Sequence, residues 1–296
     1  MIVALGDLLL DISVHVEQPV LHATDCFVRG SLSPGGSAAN FAVWVARLGR
    51  KSGLMAKVGR DILGEMLQQD LAREHVQGVI VGPETTGFIV ITVDAQGERT
   101  MLAARGATAT LSPDELDWSL LDRAEWLHIS AYSFLDGISR SAALAAMRRA
   151  KQQGIGVSLD PSAYGFLQEV GASAFWGWVE GYVDVLLPNL DEGRVLTGEQ
   201  DPEEILRTLL AHVPMVALKL GPEGAVGGVA GAITHHPGYH VSAVDTTGAG
   251  DAFAAAFMVS WLANHDMAAA LQEGNRLAAA VVQVPGARFR ADLPDP

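Results

Sequence analysis

Positions 245–251 carry the stretch DTTGAGD, which runs directly into the apolar segment AFAAAF at positions 252–257. Small residues at the start of a helix leave its first backbone N–H groups open to an anion. The helix dipole adds about 0.3–2 kcal/mol for each negative charge bound there. Asp251 has two interpretations: it caps the helix, or it accepts a hydroxyl proton beside a bound phosphoryl group. The stretch therefore predicts an anion site where a helix begins.

The composition indicates a folded protein and excludes several classes. The chain has 296 residues, of which 49% are hydrophobic and 18% charged, with a formal net charge of −14. This composition excludes disorder and disfavours nucleic-acid binding. No stretch is long and apolar enough to predict a membrane span. The single cysteine, Cys26, excludes a disulfide framework. Because the N-terminal residues lack the basic segment of a signal peptide, we expect a cytoplasmic protein.

Strand-like and helix-like segments alternate along most of the chain, which predicts a mainly parallel sheet between two helical layers. The apolar run over residues 1–10 predicts one buried strand, and small residues at helical spacing predict a helix over 37–48. Two β-only intervals, about 12–34 and 84–110, interrupt the alternation. We expect them to form a small lid on a single domain spanning residues 1–296. The fold class is thus a three-layer α/β/α core with a β lid.

Two motifs carry a family resemblance. The chain lacks the Walker loop G-x-x-x-x-G-K-[ST] and the dinucleotide motif G-x-G-x-x-G after its first strand. Positions 245–251 with the following helix resemble the C-terminal signature of the PfkB carbohydrate kinase family, which is also called ribokinase-like. Positions 35–42, GGSAANFA, are similar to its N-terminal signature. Both occur in the family's order, about 200 residues apart, and the resemblance extends over essentially the full length.

The resemblance implies the catalytic residues. Asp251 matches the family's catalytic base, and Gly248, Ala249 and Gly250 match the backbone amides of its anion hole. Such an arrangement suits phosphoryl transfer, in which positioning and electrostatic stabilisation supply most of the catalysis.

The resemblance also implies where a sugar would bind. Asp11 follows the first strand and matches a carboxylate that holds sugar hydroxyls, although it could instead be an ordinary strand-end residue. Gly35, Gly36 and Asn40 match the sugar-binding loop, because glycine lets the backbone approach a ligand and asparagine both donates and accepts. Arg105 lies at the return from the predicted lid. It either contacts an anionic or hydroxyl-rich substrate or pairs with a lid carboxylate.

ATP and Mg²⁺ are the co-substrate and the metal that the resemblance implies. The matching nucleotide-binding residues are Asn189, Lys219, Gly221, Gly224 and Asn275. Glu192, in the pattern Asn-x-x-Glu, would act on Mg²⁺ through water, which suits an ion that keeps several of its waters. The same pattern is also that of a helix cap.

A monovalent cation site is implied at Asp245 and Thr247, which match the ligands that several ribokinase relatives use for K⁺. Arg290 stands where a small hydroxyl residue would complete that site. We therefore expect that a guanidinium replaces the cation or that the site is lost.

The favoured function is an ATP-dependent kinase that phosphorylates a hydroxymethyl group of a small sugar. A nucleoside kinase of the same fold remains an alternative, as does a non-catalytic sugar-binding protein, although an intact Asp251 disfavours a pure binder. An uncovered two-part sheet would expose its edges, so we expect a homodimer joined through the lid.

Overall fold

The computed structural model describes residues 1–16, 20, 22–94, 96, 98–162 and 164–289. The strands are β1 (Ile2–Leu5), β2 (Leu9–His15), β3 (Arg29–Gly35), β4 (Ser52–Gly59), β5 (Gln77–Gly82), β6 (Phe88–Val93), β7 (Arg99–Ala104), β8 (Trp126–Ser130), β9 (Gly156–Asp160), β10 (Val185–Leu186), β11 (Met215–Lys219), β12 (Ala225–Val229) and β13 (Ala232–His236). The helices are α1 (Ser37–Arg47), α2 (Ile62–Arg73), α3 (Trp118–Leu121), α4 (Gly137–Gln152), α5 (Tyr164–Val170), α6 (Ala172–Val179), α7 (Leu190–Thr197), α8 (Pro202–Leu209), α9 (Ala249–Asn264) and α10 (Met267–Val281).

A nine-stranded sheet forms the middle layer, in the order β13-β12-β11-β10-β9-β8-β1-β4-β5. We call it the large sheet. Its strands pair in parallel from β5 to β11. The β11–β12 and β12–β13 pairs are antiparallel. Because parallel strands all end at the same edge, the residues that follow β1, β9, β10 and β11 meet there. The predicted α/β fold is confirmed.

The single strand predicted over residues 1–10 is wrong, because the chain breaks it into β1 and β2. Gly6 adopts a φ of 155°, a conformation that L side chains rarely adopt. Asp7, next along the chain, accepts hydrogen bonds from the backbone N–H groups of Ser37 and Ala38 at 3.0 and 3.3 Å. The apolar pattern shows that both halves are buried, but it does not show that the chain changes sheets between them.

A second sheet has four strands in the order β3-β2-β6-β7, and we call it the small sheet. Strand β2 pairs antiparallel with β3 and parallel with β6, and β6 pairs antiparallel with β7. Asp11 opposes Ile89, which opposes Ala103, so these three side chains share one face. This face is the one turned towards the carboxyl edge of the large sheet.

Helices cover both faces of the large sheet, and each layer has its own apolar core. On one face, α9 packs against both α1 and α10. Phe257 of α9 is fully buried there and stacks on Phe253, with 6.0 Å between the ring centroids. The packing of α9 against α1 fixes the position of the start of α9 relative to the start of α1.

No helix in the part of the chain that the structure describes is long and apolar enough to span a bilayer.

The packing of α9 predicts a large effect of truncating Phe257. Phe257→Ala should lower the free energy of unfolding by about 3–5 kcal/mol, because it removes buried surface and leaves a cavity. Urea denaturation measures this loss. Ile62→Ala is the control, since Ile62 is 75% exposed and its change should stay within about 0.5 kcal/mol. A similarly small loss for Phe257→Ala would contradict the assigned packing.

Candidate active site

A cavity of about 480 Å³ lies between the carboxyl edge of the large sheet, the small sheet and the start of α9. The predicted site residues that line it are Asp11, Gly36, Asn40, Arg105, Asn189, Glu192, Lys219, Thr247, Gly248, Gly250 and Asp251. The predicted site residues not among its described lining are Gly35, Gly221, Gly224, Asp245, Ala249 and Asn275. Arg290 lies outside the described residues.

Asp251, in the first turn of α9, is held by two side chains of α1. The Ser37 hydroxyl donates to its Oδ1 at 2.8 Å, and the Asn40 Nδ2 group donates to its Oδ2 at 2.8 Å. Burial raises the pKa of Asp251 to about 7; the hydrogen bond from Asn40 lowers it, and the charge of Asp160 raises it further. The carboxylate is therefore fixed in orientation while its pKa lies near neutrality, as suits a general base.

The start of α9 leaves backbone donors beside this carboxylate. Gly248 is the N-cap, with a φ of 74°, and no side chain among the described residues caps the helix. A Cβ at Gly248 would lie 2.4 Å from the Cβ of Ala287, so both conformation and space require glycine. The Ala249 N–H donates to the Thr246 carbonyl at 3.3 Å. The glycines on either side of Ala249 line the cavity.

Arg288 supports the other side of Asn40. Its Nε donates to the Asn40 Oδ1 at 2.6 Å, and its Nη2 donates to the Gly35 carbonyl at 3.1 Å. It also pairs with Asp70 at 3.0 Å. Because Arg288 fixes the amide oxygen of Asn40, the Nδ2 group must point at Asp251. The sequence interpretation missed Arg288, which is brought to α1 only by the folding of the C-terminal segment.

Asp11 lies at the small-sheet side of the cavity and is 7% exposed. Burial raises its pKa to about 6, while the charge of Arg288 acts in the opposite direction. Gly36, close by, has a φ of 99°, and a Cβ there would lie 2.4 Å from the Asp7 carbonyl oxygen. The close approach of the two chain segments thus accounts for glycine at position 36.

Lys219 extends from the end of β11 to Asp160 at the end of β9, with 2.6 Å between Nζ and Oδ2. Burial alone would lower the pKa of Lys219, but the charges of Asp160 and Glu192 outweigh it and raise the pKa. A Cβ at Gly250 would lie 3.3 Å from the Lys219 Nζ. The ammonium group therefore stands beside the start of α9, and Asp160 is a site residue that the sequence interpretation missed.

Glu192 and Asn189 form a capping box at the start of α7. The Glu192 carboxylate accepts from the Asn189 backbone N–H and side-chain amide, each at 2.8 Å. Burial raises the pKa of Glu192, and the nearby charge of Asp160 adds to this effect. Each oxygen keeps a lone pair for water, so the residue can serve both as a helix cap and as a partner of a hydrated ion. Among the described residues, no group of three or more His, Cys, Asp or Glu side chains could hold a metal ion.

Arg105 is held in place without being fully paired. Its Nη1 donates to the Tyr132 carbonyl at 2.9 Å and lies 3.0 Å from Asp136, which belongs to the loop before α4 and not to the small sheet. Its Nη2 is buried without a hydrogen-bond partner among the described residues. Because Arg105 also lines the cavity, this nitrogen is a donor available to a ligand.

Three predicted nucleotide-binding residues lie away from the cavity. Asn275 is 6% exposed, and its amide donates to the carbonyls of His236 and Pro237 at 3.2 and 3.4 Å. Gly224 has a φ of 95°, and a Cβ there would lie 2.2 Å from the His236 carbonyl oxygen. These residues shape the segment that follows β13. Gly221 adopts a φ of 62° at the turn after β11.

Asp245 and Thr247 lie together in the loop before α9, where the Thr247 N–H donates to the Asp245 Oδ1 at 2.9 Å. Arg99 of the small sheet contacts both side chains. The sequence interpretation had no signal for this contact, because an arginine in a predicted hairpin is ordinarily exposed to solvent.

The raised pKa of Asp251 predicts a pH-dependent stability. A raised folded-state pKa contributes stability that is fully present below about pH 4 and lost as the pH rises through about 7. Asp251→Asn removes this pH-dependent contribution. Between pH 5 and pH 8 the free energy of unfolding of the variant should therefore rise by about 1 kcal/mol or more relative to that of wild type. Denaturant unfolding at both pH values measures the gain.

Asp122→Asn is the matched control for this measurement. Hydrogen bonds from Arg149 and Gln153 lower the pKa of the exposed Asp122 to about 2. It is therefore ionised throughout the measured range, and its replacement should give the same difference from wild type at both pH values. A pH-independent difference for Asp251→Asn as well would show that the Asp251 pKa is not raised.

Comparisons with known proteins show which proteins the chain resembles. The family model of the pfkB family carbohydrate kinases matches residues 1–294. An ATP-dependent ribose-1-phosphate kinase from Halopiger xanaduensis is 34% identical over 259 residues, covering 86% of this chain and 82% of that protein. Probable fructokinase-5 of Arabidopsis thaliana is 31% identical over 271 residues, covering 88% of this chain and 82% of that protein. A putative ribokinase II from E. coli, solved in complex with ATP and Mg²⁺, superposes with a TM-score of 0.87 at 27% identity, covering 97% of this chain and 94% of that one. With its ribokinase-like fold, the chain belongs to the pfkB family of carbohydrate kinases.

Proposed function

We propose that this kinase transfers the γ-phosphoryl group of ATP to a hydroxymethyl group of a small sugar. The observation that carries the proposal is the position of Asp251, which faces the cavity beside the uncapped start of α9. A proton acceptor and a set of anion donors are thus brought together at one point. In-line phosphoryl transfer requires both groups there.

Asp251 acts as the general base. Its carboxylate takes the proton of the hydroxymethyl group, whose oxygen forms a bond to the γ-phosphorus while the bond from that phosphorus to the bridging oxygen of ADP breaks. Ser37 and Asn40 hold both carboxylate oxygens, so an incoming hydroxyl meets a base of fixed orientation. A pKa of about 7 lets a substantial fraction of the carboxyl ionise at neutral pH.

The start of α9 stabilises the charge that develops on the transferred group. The cavity-facing amides of Gly248 and Gly250 donate to its oxygens, and the N-terminal end of the helix dipole favours negative charge. Ala249 contributes less in this arrangement, since its N–H already contacts the Thr246 carbonyl. Lys219 adds a full positive charge beside Gly250.

Asn189 and Glu192 face the phosphates of the nucleotide from the carboxyl edge of the large sheet. Mg²⁺ bound to those phosphates supplies further neutralisation of charge, and Glu192 would hold it through water. The likeness to the putative ribokinase II solved with ATP and Mg²⁺ supports both ligands. Gly221, Gly224 and Asn275 support the nucleotide side indirectly, by fixing the turns around β12 and β13.

The sugar would lie between Asp11, Asn40 and the small sheet. Asp11 accepts from its hydroxyls, beside Gly36 in the cavity lining, and the unpartnered Nη2 of Arg105 donates to it. We propose that the small sheet, built from two insertions at about 12–34 and 84–110 in the single domain, is a lid. Its closure excludes water, which limits hydrolysis of ATP. We place this reaction in the cytoplasm, where ATP is supplied.

A nucleoside is the second candidate substrate, and one observation favours it. Apart from Asp11 and Arg99, the small-sheet wall of the cavity is mainly apolar, formed by Ile89, Ile91, Met101 and Ala103. Such a wall offers dispersion contacts to a flat base as well as to the carbon face of a sugar ring. The same catalytic groups would then phosphorylate the hydroxymethyl group of the ribose.

A coupled assay of ADP release tests the function with ribose, fructose, related sugars and nucleosides. We expect one sugar to support turnover and to raise the melting temperature, since a ligand that binds the folded state stabilises it. Turnover confined to nucleosides would replace the first candidate with the second. No turnover with any member of the panel would contradict both.

Asp251→Asn should lower kcat by at least ~10²-fold while the sugar still raises the melting temperature, because the base is lost and the binding groups remain. In the wild type, kcat/KM should rise as the pH passes about 7, where the carboxyl ionises. Asp122→Asn, a change at an exposed aspartate, should leave turnover unaltered. Unchanged turnover in Asp251→Asn would remove Asp251 from the base role.

We propose a homodimer joined through the outer face of the small sheet. Leu32, Ile12, Val90 and Leu102 lie opposite one another in a row across its four strands. Leu32 is 61% and Leu102 59% exposed. Exposed apolar side chains at the two ends of this row favour self-association.

Light scattering at micromolar concentration should give twice the chain mass of 31.2 kDa. Leu32→Glu should reduce it to the mass of one chain, because a charge on each copy would be buried in the contact. Ile233→Glu, at an exposed apolar residue on β13 at the edge of the large sheet, is the control and should stay dimeric. A monomer mass for the wild type would overturn the proposal.

A further inference from the structure

Arg99, the first residue of β7, bridges the small sheet and the loop before α9. Its Nη2 lies 2.8 Å from the Asp245 Oδ1, and its Nη1 donates to the Thr247 Oγ1 at 2.9 Å. The Arg99 side chain is 26% exposed and that of Asp245 is 22% exposed. Because both Nη atoms of the guanidinium make a contact, the orientation of the Arg99 side chain relative to the loop is fixed as well as its distance.

The loop that Arg99 contacts leads directly to the amides at the start of α9. Asp245 also accepts from the Thr247 N–H at 2.9 Å and from the Gly286 N–H at 2.9 Å. The carboxylate thus holds the residue before Gly248 on one side and the small sheet on the other.

Asp245 and Thr247 are also the two residues at which the family resemblance implies a monovalent cation. The guanidinium already takes one oxygen of Asp245 and the hydroxyl of Thr247. A second positive charge within a few ångströms of it would be repelled. The residues present thus do not fit a monovalent cation at this place while Arg99 is bound there.

We propose that Arg99 takes the place of a monovalent cation and is a positioning residue for the anion hole. Because it belongs to the small sheet, it aligns the loop 245–248 only when that sheet lies over the cavity. Closure over the substrate and alignment of the phosphoryl-binding amides are then a single event. This inference rests on the proposed function and adds a coupling between the two parts of the site.

Steady-state kinetics of Arg99→Gln and Arg99→Lys test the positioning role. Arg99→Gln should lower kcat by ~10-fold or more and change the KM for sugar less, because the alignment acts on the transition state. Arg99→Lys should recover part of kcat, since it keeps the charge without the planar fork. Arg29→Gln, an exposed arginine at the start of β3 in the same sheet, is the matched control and should match wild type. An effect on KM alone would make Arg99 a substrate contact and would overturn the proposal.

The cation is tested by replacing K⁺ with tetramethylammonium at constant ionic strength. Wild type should keep its activity within about twofold, whereas Arg99→Gln should gain several-fold from K⁺, because the freed oxygens can then bind it. Strong K⁺ activation of the wild type, or none in Arg99→Gln, would show that the guanidinium does not stand in for a cation.

Hydrogen exchange of the ligand-free protein gives a readout that does not depend on turnover. Arg99→Gln should raise exchange both in peptides covering residues 245–251 and in peptides covering 88–104, while Arg29→Gln should leave residues 245–251 unchanged. If no substrate in the panel is phosphorylated, the proposed function fails but this coupling is still measured. Unaltered exchange over residues 245–251 in Arg99→Gln would overturn the coupling itself.

Discussion

The hydrogen bonds from Ser37 and Asn40 to Asp251 join the starts of two helices that are more than 200 residues apart in sequence. Burial of a carboxylate disfavours its charged form, and here the nearby charges of Asp160 and Asp7 act in the same direction. The two donors oppose that effect without cancelling it. The pKa of this carboxyl therefore lies near neutrality while its orientation is fixed by two hydrogen bonds. A general base that acts near neutral pH needs both properties.

The rest of the site supports this contact through charges that lie farther away. Arg288 fixes the amide oxygen of Asn40, so the orientation of the amide does not depend on a ligand. Lys219 compensates Asp160 and Glu192, which would otherwise leave several carboxylates facing one another at the carboxyl edge of the sheet. Removing the charge of Lys219 would leave Asp160 and Glu192 without this compensation, a costly change in a protein interior.

Local sequence patterns were sufficient for the fold class and for the open start of α9, because these features depend on neighbouring residues. Alternating buried strands and helices predict the layers, and the glycines before Asp251 predict the open helix start. The strand break at Gly6 was missed, since an apolar run has the same pattern in one sheet or two. Arg288, Asp160 and Arg99 were missed because their roles arise from contacts with residues far away in sequence, such as the 148 positions between Arg99 and Thr247. Asn275 matched a ligand position, yet its amide holds the backbone of another segment.

The two helix starts at the cavity show why only one of them is open to a phosphoryl group. Both follow a glycine with positive φ, Gly36 before α1 and Gly248 before α9. At α1, the Asp7 carboxylate already accepts from the N–H groups of Ser37 and Ala38, so the chain supplies its own anion. At α9, no side chain of the described residues does so, and the nearest carboxylate, Asp251, is turned towards α1 instead. In the reaction proposed above, the transferred phosphoryl group supplies the negative charge at the start of α9, beside Asp251.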